Sequence, residues 1–161
     1  MCSDPNIDGM EGPGNPRTAP PNLADALVLV SCVGQKLGEP APARLLYRSE
    51  WFKKVRRLVD AQRADWFVLS AQYGVVAPDA LIDPYEKTLN TMRASDRRDW
   101  AEYVYRQLAP FLTGPRRVVI FAGQRYRERL VPTLQGNGHA VEVPLAGLRI
   151  GEQLAWLGAR T

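Results

Sequence analysis

Ala26-Leu27-Val28-Leu29-Val30 is an unbroken apolar run that leads directly into Ser31-Cys32-Val33-Gly34-Gln35-Lys36. A run this short, with no polar alternation, has the signature of a strand buried on both faces, as in a parallel sheet covered by helices. The same signature recurs outward from it in Trp66-Phe67-Val68-Leu69, while Arg117-Val118-Val119-Ile120-Phe121 reads as a third strand and Ala140-Val141-Glu142-Val143 as a short fourth. Helical patterns separate these runs. Ser49 reads as the N-cap of a helix to about Ala61, with Phe52, Val55 and Val59 on one face and Lys53, Lys54, Arg56 and Arg57 largely off it. Ser95 reads as the cap of a second helix, to about Leu112, striped by Trp100, Tyr103, Val104 and Leu108. A third runs from about Arg125 to Leu134, where Pro132 breaks its end, and a last from about Gly151 to Gly158. Ser31 to Leu46 reads as a loop broken by Gly34, Gly38, Pro40 and Pro42, and Ser70 to Thr91 as irregular chain.

Alternating strands and helices predict an α/β fold: a three-layer α/β/α sandwich with a mainly parallel sheet of about four or five strands. Residues 1–22 hold Pro5, Pro13, Pro16, Pro20 and Pro21 and no apolar period, so they read as a disordered tail. Residues 23–161 read as a single α/β domain. The chain of 161 residues carries 21 Lys+Arg against 17 Asp+Glu, a net charge of +4 that permits a polyanionic partner without demanding one. The cations are mostly arginine, which suits phosphate and planar groups but serves equally as a solvated surface.

Several classes are excluded. No stretch approaches the roughly 18 consecutive apolar residues of a membrane span. Met1 to Asn22 lacks a basic head followed by an apolar run, which argues against a secretory signal. Cys2 and Cys32 cannot make a disulfide framework, and with His139 as the sole histidine no zinc site or other metal cofactor is expected. A reducing cytoplasm is the expected compartment.

Ligands of open α/β sheets bind at the carboxyl ends of the strands, which selects three loops. In the first, Ser31, Gly34 and Lys36 would surround a phosphate or carboxylate with amides, a hydroxyl and an ammonium. The GxxxxGK[ST] spacing of a P-loop is absent, and the same residues would also serve as a plain strand-to-helix turn. Cys32 has no activating base that the sequence identifies. The second loop is Ser70-Ala71-Gln72-Tyr73-Gly74-Val75-Val76, followed by Pro78-Asp79 and Ile82-Asp83-Pro84-Tyr85-Glu86. Tyr73 and Tyr85 would stack on a base and Gln72 would bond its edge. Asp79, Asp83 and Glu86 supply carboxylates able to activate water or stabilise a sugar cation. The alternative is a turn in which Asp83 caps backbone and Tyr85 covers the core. The third loop, Gly123-Gln124-Arg125-Tyr126, allows close backbone approach and puts Arg125 on the first turn of a helix.

At these loops the chain resembles the bacterial DUF6884 family, which is related to YaaA-like proteins. The matching residues are Ser31-Cys32 with Lys36, Leu46-Tyr47-Arg48-Ser49 with Phe52, and Leu69 to Val76. Ile82-Asp83-Pro84-Tyr85, Gly123 with Tyr126, and Pro144 to Leu148 with Gly151 complete the set. The resemblance covers about residues 26–157. It implies a remote uracil-DNA-glycosylase-like architecture, a DNA or nucleotide ligand, and the protection against oxidative DNA damage associated with YaaA-like proteins. Position 83 is Asp where YaaA-like chains tend to carry a neutral residue, and this chain is much shorter.

The expected function is therefore a DNA glycosylase, an N-glycosidase removing a normal or modified base, in repair or in defence against phage DNA. Asp83 would carry the chemistry, with Asp79 as substitute. Ser70, Gln72, Tyr73 and Tyr85 would hold the base, and Ser31, Lys36, Gly123 and Arg125 the phosphates. A non-catalytic DNA-binding protein and a hydrolase of free nucleotides are the competing readings. No cofactor and no membrane partner is expected.

Overall fold

A computed structural model describes residues 22–31 and 34–160. The tail expected over residues 1–22 lies, apart from Asn22, outside the described residues, as do Cys2 and Cys32.

The elements, in order, are β1 (Ala26–Ser31), β2 (Ala41–Pro42), α1 (Ala43–Leu46), α2 (Glu50–Ala61), β3 (Asp65–Ser70), β4 (Gly74–Val76) and β5 (Leu81–Ile82). They continue with α3 (Ala94–Leu108), β6 (Arg117–Phe121), α4 (Gln124–Arg127), α5 (Leu130–Gly136), β7 (Ala140–Glu142) and α6 (Ile150–Gly158). The main sheet has five strands in the order β4-β3-β1-β6-β7. Its pairs are parallel except β3–β4, so the sheet is mainly parallel as the sequence predicts. All six residues of the central β1 are buried, which requires helices on both faces: α2 packs with α6, and α3 with α5. Leu27, Val28, Leu29 and Val30, each at most 1% exposed, form the middle of the core.

Local chemistry explains most boundaries. Ser49 Oγ accepts from Phe52 N at 3.1 Å and opens α2 as expected. Ser95, by contrast, is not a cap: Arg93 holds that position with no side-chain cap bond, and Ser95 lies inside α3. The second helix also stops at Leu108 and tightens into a 3-10 turn, Ala109–Phe111, around Pro110. The third expected helix is two pieces, α4 and α5. Pro132 sits in the first turn of α5, where a missing N–H leaves no intrahelical bond unmade, so it does not break the end. At α6, Glu152 accepts from Arg149 N at 2.8 Å, closing its first turn. Between β6 and β7, Arg117 donates to Glu142 and holds that carboxyl below its usual range.

The stretches read as loops contain short ribbons. β2 pairs antiparallel with β5, and β4 folds back on β3. Ser70 Oγ accepts from the backbone N–H of Gln72 (3.2 Å) and Tyr73 (3.0 Å), forming the tight return into β4. Gly74 completes it at φ 74°. A Cβ there would fall 2.1 Å from Gln107 Oε1, which accepts from Val75 N on the same edge strand.

Candidate functional site

β1 and β6 are adjacent parallel strands that end at Ser31 and Phe121. Beyond their carboxyl ends lies a cavity of about 470 Å³, within the roughly 300–1,000 Å³ span of small-ligand sites. Ser31 and Gly123 line it from the strand ends, and Lys36 comes from the loop after β1. The chain after β5 adds Glu86, Lys87, Thr88 and Asn90, while Tyr126 and the first turn of α6 close the remaining side. Ser31 is fully buried, and its hydroxyl has no hydrogen-bond partner among the described residues. A buried hydroxyl left unpaired costs about 1–3 kcal/mol, and Ser31 places this one directly behind the cavity wall.

Lys36 is held in place by its neighbours. Its backbone bridges to Tyr47, flanked by Leu37 N to Leu46 O and Arg48 N to Gln35 O, each 2.8 Å. Its Nζ lies 4.4 Å from the centre of the Tyr85 ring and 5.7 Å from that of Tyr47. The two hydroxyls of Tyr47 and Tyr85 are 2.7 Å apart. Tyr73 meets Tyr85 edge-on at 5.5 Å and donates to Asp83 O at 3.3 Å. The first and second loops thus meet at one place, and the tyrosines position the ammonium. They are packed on each other and on Lys36 and do not present an open stacking platform.

The other expected site residues are distributed as follows. Ser31, Lys36 and Gly123 share the cavity, and Tyr85 adjoins it in a hollow of about 620 Å³ that also contains Gly34, Lys36 and Glu86. Ser70 Oγ is committed to the turn before β4, and its carbonyl accepts from Trp100 Nε1 at 3.0 Å. Gln72 lines a different hollow, with Trp100 and Tyr103. Arg125 is half-exposed, 3.5 Å from Glu128, on a helix of four residues, and does not line the cavity. Asp83 is exposed and lines neither the cavity nor its neighbours. Asp79 is carried to the opposite end of the sheet, because β4 runs antiparallel to β3. There it pairs with Arg44 at 3.2 Å, near Asp65.

Glu86 is the carboxylate that the structure brings to the cavity. It was legible as the third acid of the Asp79–Glu86 cluster, but its place at the cavity was not. Lys87, Thr88 and Asn90 had only their polarity as a signal. Gln153 had none: its amide accepts from Trp51 Nε1 at 2.8 Å, a contact across 102 positions.

Neither a curated protein nor a solved structure matches the chain. A model described as a family of unknown function (DUF6884) matches residues 27–159, which include every residue lining the cavity. The chain belongs to the DUF6884 family.

Proposed function

We propose that the cavity receives one nucleotide of a DNA strand and that the protein hydrolyses its N-glycosidic bond. The observation that carries this reading is the meeting of Ser31, whose buried hydroxyl has no partner among the described residues, with Lys36, Glu86, Thr88 and Asn90 at one cavity on the carboxyl edge of the sheet. Ser31 and Lys36 offer a hydroxyl and an ammonium to a phosphate. Thr88 and Asn90 offer groups that can bond a base edge. The relation to YaaA-like, DNA-associated proteins expected from the loop residues would agree with the same ligand class.

In the reaction, the C1′–N bond breaks and its electron pair leaves with the base, which takes up a proton from solvent, balanced by the one that Glu86 later returns to it. Water bonds to C1′, and Glu86, in place of Asp83, accepts the proton that the water loses. The same carboxylate stabilises the sugar cation while the bond breaks. A duplex target has to be flipped into the cavity, at a cost of a few kcal/mol that an unpaired or damaged base reduces.

The second reading is DNA binding without chemistry. It is favoured by the positions of Asp79 and Asp83, which leave Glu86 as the one carboxylate lining the cavity among the described residues, where most glycoside hydrolases use two. The test is incubation with oligonucleotides bearing normal and altered bases, followed by alkaline cleavage. Strand breaks at one base type are expected. Tight, salt-sensitive binding with no breaks on any substrate would establish the second reading instead.

A further inference from the structure

The cavity does not stand alone on its edge of the sheet. On one side it adjoins the hollow lined by Arg48 and Tyr85, across the shared residues Lys36 and Glu86. On the other side it adjoins a hollow of about 480 Å³, across Lys87, which lines both. This second neighbour differs in chemistry. Trp100, 8% exposed, and Tyr103, 47% exposed, give it aromatic surface, and Gln72, Asp99 and Asp96, the last 3.5 Å from Arg93, line it as well. Two carboxylates repel a phosphate but accept from the exocyclic amino groups of bases. The residue common to the two hollows is a cation, Lys87. The arrangement therefore alternates: cations at Arg48 and Lys36, a polar chamber, a cation at Lys87, then an aromatic chamber with acids.

We infer that the substrate is single-stranded DNA spanning at least two nucleotides, with the intervening phosphate on Lys87 and the neighbouring base against Tyr103. The inference rests on the nucleotide reading of the central cavity and adds the strandedness, the length and a flanking-base subsite. Bases that enter separate chambers cannot remain paired, which excludes an intact duplex. A free mononucleotide fills one chamber and leaves Lys87 and Tyr103 without their share of the contact.

The experiment compares binding of mononucleotides, mixed-sequence trinucleotides and a duplex, each across a salt series, together with base release from each. Trinucleotides are expected to bind at least about tenfold tighter than mononucleotides, the scale of one stacked base. Tyr103→Leu removes that gain and Tyr103→Phe retains it. Lys87→Ala, at an exposed position, lowers the slope of log affinity against log salt by about 0.7, one phosphate contact on a single strand. Equal binding of mononucleotides and trinucleotides, tighter binding of the duplex, or full gain in Tyr103→Leu overturns the inference. Base release that is independent of length sinks this inference while leaving N-glycosidic hydrolysis intact. Length-dependent binding through Tyr103 with no base release does the reverse.

Discussion

Glu86→Gln is expected to lower base release by at least about a hundredfold, near the lower end for a lost general base, or about 2.7 kcal/mol of barrier. The substitution keeps the shape of the side chain and removes its charge and its capacity to take a proton. Because Glu86 is exposed, the melting temperature should barely move, in keeping with surface substitutions within about 0.5 kcal/mol. Binding of the oligonucleotide should hold or tighten, since one negative charge leaves a cavity that also contains Lys36 and Lys87. Single-turnover rates alongside equilibrium binding separate the two effects. Asp83→Asn is the matched control and should leave both unchanged. The reverse pattern, with Asp83→Asn inactive and Glu86→Gln active, would return the chemistry to Asp83 and remove Glu86 from the mechanism.

Phe52→Ala is expected to destabilise the fold by about 3–5 kcal/mol, the usual cost of emptying a buried aromatic site, and so to lower the melting temperature by roughly 6–20 °C. Phe52 is fully buried on α2, with ring centres 5.0 Å from Tyr47 and 6.4 Å from Trp66. Tyr47 in turn shares its hydroxyl contact with Tyr85 and its backbone bridge with Lys36. Loss of the Phe52 ring therefore reaches the site through Tyr47. In the folded fraction, oligonucleotide affinity should weaken along with stability. Phe52→Leu keeps most of the volume and should restore both in large part. A melting temperature within about 2 °C of the parent for Phe52→Ala would mean that α2 is not anchored by this ring.

The sheet was legible because its central strands carry unbroken apolar runs. Residues 26–30 and 118–121 have no polar period to confuse with a helix, and both stretches are buried. Ser49 was legible as a cap because its hydroxyl satisfies a local amide. Ser95 misled because propensity names a residue type, while the position of the cap is set by where Trp100 and Val104 must face the core. The strand β4 was hidden by its length and by Gly74, whose positive φ serves a close approach to Gln107 that only the tertiary structure creates.

For the site, the rule of the carboxyl edge placed Ser31, Lys36 and Gly123 together from sequence alone. It failed for Asp79, because the unseen antiparallel β4 carries the chain back across the sheet. It failed for Arg125, because the helix there is a single turn and its guanidinium faces Glu128. The tyrosines were read as a stacking surface, and their packing on each other and beside Lys36 depends on side-chain geometry that spacing does not encode.

The most direct measurement is a pair of melting curves for the parent and Ser31→Ala, with and without a mixed-sequence oligonucleotide. Without ligand, Ser31→Ala should melt at the same temperature or higher, because a buried hydroxyl with no partner among the described residues is removed. With ligand, the stabilisation should shrink to that of about a tenfold weaker complex, the loss of one hydrogen bond to a charged group. A variant that melts lower without ligand and keeps the full ligand-induced shift would show that the hydroxyl serves the fold, and that the cavity beneath the strand ends is not where DNA binds.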